Sequence, residues 1–222
     1  MLRLLIISDV HAAFKKLEKL AAIERDIVVL AGDLARCGSV EEAARVLEIL
    51  AAQGAPVVWV PGNCDARSLA DYTGPSNTFN VHGRVVEVNG LVFVGVGGST
   101  PTPFSTPFEM GEDEVAAVLS KAFNSVAGRH ARLVLVTHSP PYASGLDRIR
   151  GGEYVGSKSV RKALAEARPL LAATGHIHEA WGVASVEGVT VVNPGSLAEG
   201  RYAIALVDLE MGVVVVRTQR LG

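Results

Sequence analysis

Leu4-Leu5-Ile6-Ile7-Ser8-Asp9-Val10-His11 is an apolar run of strand length that stops on an Asp-x-His pair. A strand buried on both faces of a sheet needs such a run, so this carboxylate and imidazole are expected at a rigid strand exit. An Asp-x-His pair alone is a weak signal, and its weight depends on what other strand exits carry.

Phe14 to Arg25 mixes Leu17, Leu20 and Ile23 with charged residues, the pattern of an amphipathic helix. Ile27 to Ala31 is a second apolar strand ending on Gly32-Asp33. Ser39 opens a second helix, with Glu41 and Glu42 in its first turn, and Gly54 ends it. Val57 to Val60 is a third strand, ending on Pro61-Gly62-Asn63-Cys64-Asp65. This βαβαβ order predicts a parallel sheet with right-handed connections. Ligands of such sheets gather outside the carboxyl ends of the strands, which puts Asp9, His11, Asp33 and Asn63 together.

After Phe79 the texture changes. Val85 to Val94 reads as a hairpin about Asn89-Gly90. Ser99 to Phe108 is rich in Pro and carries two Phe, the make-up of a packed lid or substrate-binding loop. Glu112 to Ala127 reads as a helix, and Arg132 to Val136 as a strand ending on Thr137-His138. Tyr142 to Tyr154 is a Gly-rich loop, Ser159 to Ala167 a short helix, and Leu170 to Ala173 a strand ending on Gly175-His176-Ile177-His178. The remainder alternates strands and turns to the end, which predicts a second, mixed sheet packed on the first.

The chain has 222 residues, 49% of them hydrophobic, enough for a large core and expected to form one domain over 1–222. With 23 acidic against 21 basic side chains, bulk nucleic-acid binding is not expected. No apolar run reaches the roughly 20 residues of a membrane span, and the start does not read as a signal peptide. A cytoplasmic protein without membrane association is expected, with homo-oligomerisation left open. Cys37 and Cys64 follow parallel strands but make neither a disulfide framework nor a Cys-x-x-Cys knuckle.

Five strand-exit motifs therefore stand in order, and four of the six histidines lie in them. Asp9, His11, Asp33, Asn63, His138, His176 and His178 are all oxygen or nitrogen donors. Seven exceed what one tetrahedral ion takes but suit two ions sharing a carboxylate.

With these motifs in hand, the chain resembles the calcineurin-like metallophosphoesterases, in particular their small bacterial and archaeal phosphodiesterase branch, over Asp9 to Ser196. The resemblance implies an α/β (α+β) fold, a four-layer αββα sandwich of two mixed sheets flanked by helices. It implies that Asp9, His11 and His178 hold one divalent metal, that Asn63, His138 and His176 hold the other, and that Asp33 bridges them. The metals are expected to be Mn²⁺, with Fe, Ni, Zn or Mg as alternatives. Asp33, Asn63 and His138 stand as the catalytic residues of a phosphodiesterase that cleaves a small phosphoester by in-line attack of a metal-bridging hydroxide. A phosphomonoesterase or phosphoprotein phosphatase, and a scaffold on the same fold, are the alternatives.

Many relatives carry His where this chain has Cys64, so the group that would protonate the leaving oxygen is in question. Arg36 and Arg67 follow two of the motifs and could grip a phosphate, with structural roles the simpler reading. His82 and His130 are expected at the surface, Trp181 in the core, and Asn193-Pro194-Gly195-Ser196 as a turn.

Overall fold

The computed structural model describes residues 1–126 and 132–222. Among the described residues, twelve strands form two six-stranded sheets. In the first, β1 (Leu2–Ile7), β2 (Ile27–Ala31), β3 (Val57–Val60) and β4 (Thr78–Asn80) run parallel. β11 (Arg201–Asp208) and β12 (Val213–Arg220) extend that sheet antiparallel from the free side of β1. The second sheet has the order β5 (Val85–Val88), β6 (Leu91–Val96), β7 (Leu133–Thr137), β8 (Leu171–Ala173), β10 (Val189–Asn193) and β9 (Gly182–Val186). β6, β7, β8 and β10 are parallel, and β5 and β9 are antiparallel edges.

Both sheets are therefore mixed, as expected, but the chain is shared between them differently. The last two strands return to the first sheet, because β1 offers an unpaired edge whose N–H and C=O groups must find partners. β4 is a strand that the sequence reading left in the texture change near Phe79.

Strand alternation sorts the core into layers. Leu4 and Ile6 of β1 point between the sheets with Val29, Val58, Phe93 and Val136. Leu5 and Ile7 point outward, where α1 (Phe14–Lys19) and α2 (Val40–Ala51) bring Leu17, Val46, Leu47 and Leu50 onto Val28, Leu30 and Trp59. α3 (Glu112–Asn124) and α4 (Lys158–Ala167) cover the other sheet through Val115, Leu119, Val160 and Leu164. The result is the αββα order. Ser39 caps α2 by accepting from Glu42 N–H, as its position suggests. The first helix is shorter than predicted, breaking into a 3₁₀ turn at Leu20–Ala22. α3 ends at Asn124, and both the predicted end at Ala127 and His130 lie outside the described residues. Among the described residues, no helix is long and apolar enough to cross a membrane.

Candidate metal centre

The exits of β1, β2, β3, β7 and β8 meet at one edge of the sandwich, and each donates side chains there. The turns are cross-tied by backbone bonds: Asp9 N–H to Gly32 O at 3.0 Å, His11 N–H to Asp33 O at 3.0 Å, and Gly175 N–H to His138 O at 3.0 Å. Asp9, His11, Asp33 and His176 all take the left-handed conformation, with φ of 53°, 44°, 54° and 70°. That conformation strains non-glycine residues and holds here because the surrounding bonds fix it.

Three glycines make the convergence possible, for two reasons. Gly32 has φ of 93°, a turn requirement. Gly62 and Gly175 are needed for close approach. A Cβ on Gly62 would lie 2.7 Å from Asp33 Cγ, and one on Gly175 would lie 2.7 Å from Ser8 Cβ and 2.9 Å from Asp9 Oδ2.

The donor side chains fall into two groups about Asp33. In the first, ligand atoms of Asp9, His11 and His178 lie within 4.8 Å of one another, with His178 Nε2 3.2 Å from Asp9 Oδ1. In the second, His138 Nε2 is 2.8 Å from Asn63 Oδ1, and the rings of His138 and His176 approach to 5.1 Å. His176 also reaches the first group through its backbone N–H, 3.2 Å from Asp9 Oδ2. Asp33 faces both, with Oδ2 3.7 Å from His11 Nε2 and Oδ1 3.4 Å from His138 Nε2.

The chemistry of this set suits cations. Ala31 O can only accept, so His138 Nδ1, 2.8 Å away, carries the ring proton. In the neutral ring, the form that binds a metal, Nε2 then turns its lone pair toward Asn63 Oδ1, and the two acceptors face each other across 2.8 Å, as two ligands of one cation do. Burial opposes ionisation of Asp9, but the hydrogen bond of His178 and the charges of His138, His178 and His11 outweigh it and hold the carboxyl well below the usual range. His178 in turn is raised to about 9, chiefly by its hydrogen bond to Asp9. Burial, reinforced by His138, lowers His176 to about 4.

Several residues support the donors in roles that the sequence reading did not assign to them. Asp65 is fully buried and accepts from Gly62 N–H at 2.7 Å, Ala35 N–H at 2.8 Å and Leu34 N–H at 3.1 Å, tying the β2 exit to the β3 exit. Burial and the charge of Asp33 raise it to about 7 against those three bonds. Its place in Gly-Asn-Cys-Asp was the available signal. Ser196 Oγ donates to Asp9 O and Thr174 Oγ1 to His138 O. Asn193 Nδ2 donates to Ile177 O at 2.8 Å, so the Asn193-Pro194-Gly195-Ser196 turn braces the loop carrying His176 and His178.

Two other sequence expectations, on His82 and Trp181, are corrected. His82 is mostly buried, accepting from Gly97 N–H at 2.9 Å beside Phe108, and burial lowers it to about 4. Trp181 is 46% exposed with Arg201 stacked 4.9 Å over its ring, because it lies at the open edge before β9. Arg36 is paired with Glu42, and Arg67 donates to Glu109 O at 2.5 Å, so both have structural roles. Cys37 and Cys64 are free thiols. Cys64 groups with His11 and Asp33 at the centre, and burial together with Asp33 pushes its thiol far up, so it stays protonated.

A cavity of about 540 Å³ opens beside Asn63, His176 and His178 and is walled by Thr100, Pro103 and Phe104 of the Pro-rich loop. That loop therefore borders the centre. A larger cavity of about 800 Å³ lies at the opposite ends of the strands, near Arg3 and Pro56, where Arg25 is used up on Leu20 O, Ile23 O and Gln53 Oε1. Among the described residues, it collects no group of metal-binding donors.

The family model for calcineurin-like phosphoesterases matches residues 2–180. The uncharacterized protein MJ1162 of Methanocaldococcus jannaschii is 33% identical over 194 residues, 85% of each chain. TT1561 of Thermus thermophilus has a crystal structure that matches with a TM-score of 0.74 at 22% identity, covering 99% of this chain and 98% of that one. The crystal structure of phosphopantetheinyl hydrolase from Mycobacterium tuberculosis matches with a TM-score of 0.59 at 17% identity, covering 87% and 89%. These two structural matches establish likeness of fold.

Proposed function

The chain belongs to the calcineurin-like phosphoesterase family, and on that premise we propose that residues 1–222 act as one phosphodiesterase domain with a two-metal centre. The observation that carries the reading is Asp33, whose two carboxylate oxygens face separate groups of nitrogen and oxygen donors. Asp9, His11 and His178 would hold one divalent ion and Asn63, His138 and His176 the other, with Asp33 shared. Two such ions supply positive charge for the phosphate oxygens and an activated water for in-line attack.

The chain's own residues set the remaining terms. Asp9 and Asp33 are the two carboxylates of the donor set, so two divalent ions retain a formal excess of positive charge. Asn63 and the neutral thiol of Cys64 add no negative charge where a phosphate must approach. His138 is held in one tautomer by Ala31 O, which keeps Nε2 turned to the centre. A thiol that stays protonated is a poor proton donor, which favours substrates whose leaving group departs without one. The adjoining cavity has room for an organic arm besides the scissile phosphate, which favours a diester over a monoester.

Metal content of purified protein, measured with Asp33→Asn and His176→Ala as controls, tests the centre. Hydrolysis of bis(4-nitrophenyl) phosphate against 4-nitrophenyl phosphate, with Mn²⁺, Fe²⁺, Ni²⁺, Zn²⁺ or Mg²⁺ supplied, tests the reaction. Preferential diester cleavage that needs metal and is lost in Asp33→Asn is the expected result. Cleavage of monoesters alone would replace this reading by the phosphomonoesterase one. No bound metal together with no hydrolysis would sink both.

A further inference from the structure

The cavity beside the donor groups has two walls of contrasting character. On one stands Phe104, 81% exposed, next to Pro101 and Pro103. Its loop is braced: Glu109 Oε1 accepts from Thr102 Oγ1 at 2.6 Å, Thr106 Oγ1 at 2.7 Å and Thr106 N–H at 2.8 Å, and Met110 N–H reaches Ser99 O at 2.8 Å. A fixed loop that holds a phenyl ring in water keeps apolar surface available for a ligand.

On the other wall Arg150 occupies a tight turn, with Ile149 N–H bonded to Glu153 O and Gly152 N–H to Ile149 O. Arg150 N–H donates to Glu179 Oε1 at 3.2 Å, which fastens the turn to the segment carrying His176 and His178. Among the described residues the Arg150 guanidinium has no hydrogen bond or ion pair, so its charge stays open to the cavity it lines. Histidines apart, it is the one cation among the described residues of the cavity wall. A planar, permanently charged fork left unpaired beside an apolar wall suits an anion carried on an apolar body.

We propose that this cavity takes the non-leaving arm of the substrate, and that this arm is an apolar ring bearing a second anionic group, the ring lying against Phe104 and the anion on Arg150. The assignment rests on the phosphodiesterase reading and names its substrate class. Phe104 and Arg150 are then specificity-determining residues, remote from the bond that breaks.

The test is calorimetric binding of methylphosphonate, phenylphosphonate and 4-carboxyphenylphosphonate to metal-loaded wild type, Phe104→Ala and Arg150→Gln. Both substituted side chains are exposed, and circular dichroism verifies folding. Wild type should favour phenyl over methyl by about tenfold, the worth of partly burying one ring. The carboxyl group should add about fivefold, the upper range for an exposed ion pair. Phe104→Ala should bring the phenyl-to-methyl ratio close to one, and Arg150→Gln should abolish the carboxyl advantage. Ratios that are flat in wild type, or unchanged in the variants, would overturn the assignment. Hydrolysis of methyl 4-nitrophenyl phosphate, which has no ring on its second arm, is measured in parallel. If it proceeds while the binding ratios are flat, the pocket assignment fails and the phosphodiesterase reading stands. If neither is seen, both fall.

Discussion

Replacing Gly62 with Ala puts a methyl group against Asp33, the residue on which the two donor groups turn. The added Cβ would sit 2.7 Å from Asp33 Cγ and nearer still to Oδ1 and the backbone nitrogen. Carbon atoms pack at about 3.5–4.0 Å, so the carboxyl group must retreat by about 1 Å. It has little freedom to do so, because Cys64 N–H holds Oδ1 at 2.8 Å and Asp33 already sits at φ of 54°. Metal–ligand distances tolerate displacements of only about 0.2 Å. Metal affinity should therefore fall by about 100-fold, the upper range for disturbing a ligand's support. Overpacking should cost about 1–3 kcal/mol of stability. For a chain of this size that lowers Tm by about 2–12 °C, which leaves a folded protein. The assay is competition for metal with a chromophoric chelator, alongside thermal melting followed by circular dichroism. Gly111→Ala is the control: like Gly62 it lies outside the left-handed region, with φ of −66°, but the nearest atom to its added Cβ is Glu114 Oε2 at an ordinary 3.9 Å. A folded Gly62→Ala that keeps wild-type metal affinity would refute the claim that close approach at this glycine positions Asp33.

Three further outcomes are expected. Cys64→His restores a titratable proton donor beside His11 and Asp33, and should lower the diester-to-monoester rate ratio by at least about tenfold; an unchanged ratio would show that Cys64 does not limit leaving-group range. His82 is held neutral in the fold, with its value lowered from 6.5 to about 4 by burial first and the charge of Arg84 second. Its contribution to stability is thus complete above about pH 6.5 and is lost as pH falls toward 4, amounting to about 2 kcal/mol by pH 5. His82→Asn keeps an acceptor for Gly97 N–H and removes the titration, so urea midpoints at pH 7 and pH 5 should differ less than in wild type; an equal difference would assign the acid sensitivity to other groups. Glu109→Ala removes three bonds from the Pro-rich loop. It should speed proteolytic nicking within residues 99–109 and raise KM for aryl diesters about threefold to tenfold with little change in kcat, whereas wild-type protease resistance would show that the loop is braced by other contacts.

The sequence carried much of the centre because parallel βαβ units bring successive strand exits to one sheet edge. Asp9, Asp33 and Asn63 could be grouped on that ground before any contact was known, and His138 and His176 followed from the same pattern repeated later in the chain. The helices on the first sheet were legible too, since Ser39 with Glu41 and Glu42 is a local signal acting within one turn. Pairing between distant strands leaves no such local mark. That β11 lies beside β1, with Leu4 opposite Ala205, depends on which edge is free after the whole sheet assembles. β4 was missed because three residues are too few to show a period.

By itself, then, the sequence determined the donor types, their order along the chain and the presence of a βαβαβ sheet with a second, mixed sheet packed on it, because all three follow from residue chemistry and from periodicities confined to single elements; the four-layer αββα order was what the family resemblance implied. Only the tertiary structure decided that Asp33 presents one oxygen to each donor group, that Gly62 and Gly175 serve close approach more than turning, and that Phe104 and Arg150 face one cavity from loops some 45 residues apart. These are relations between segments that meet only once the chain has packed, and distances across such meetings are set by the core beneath them.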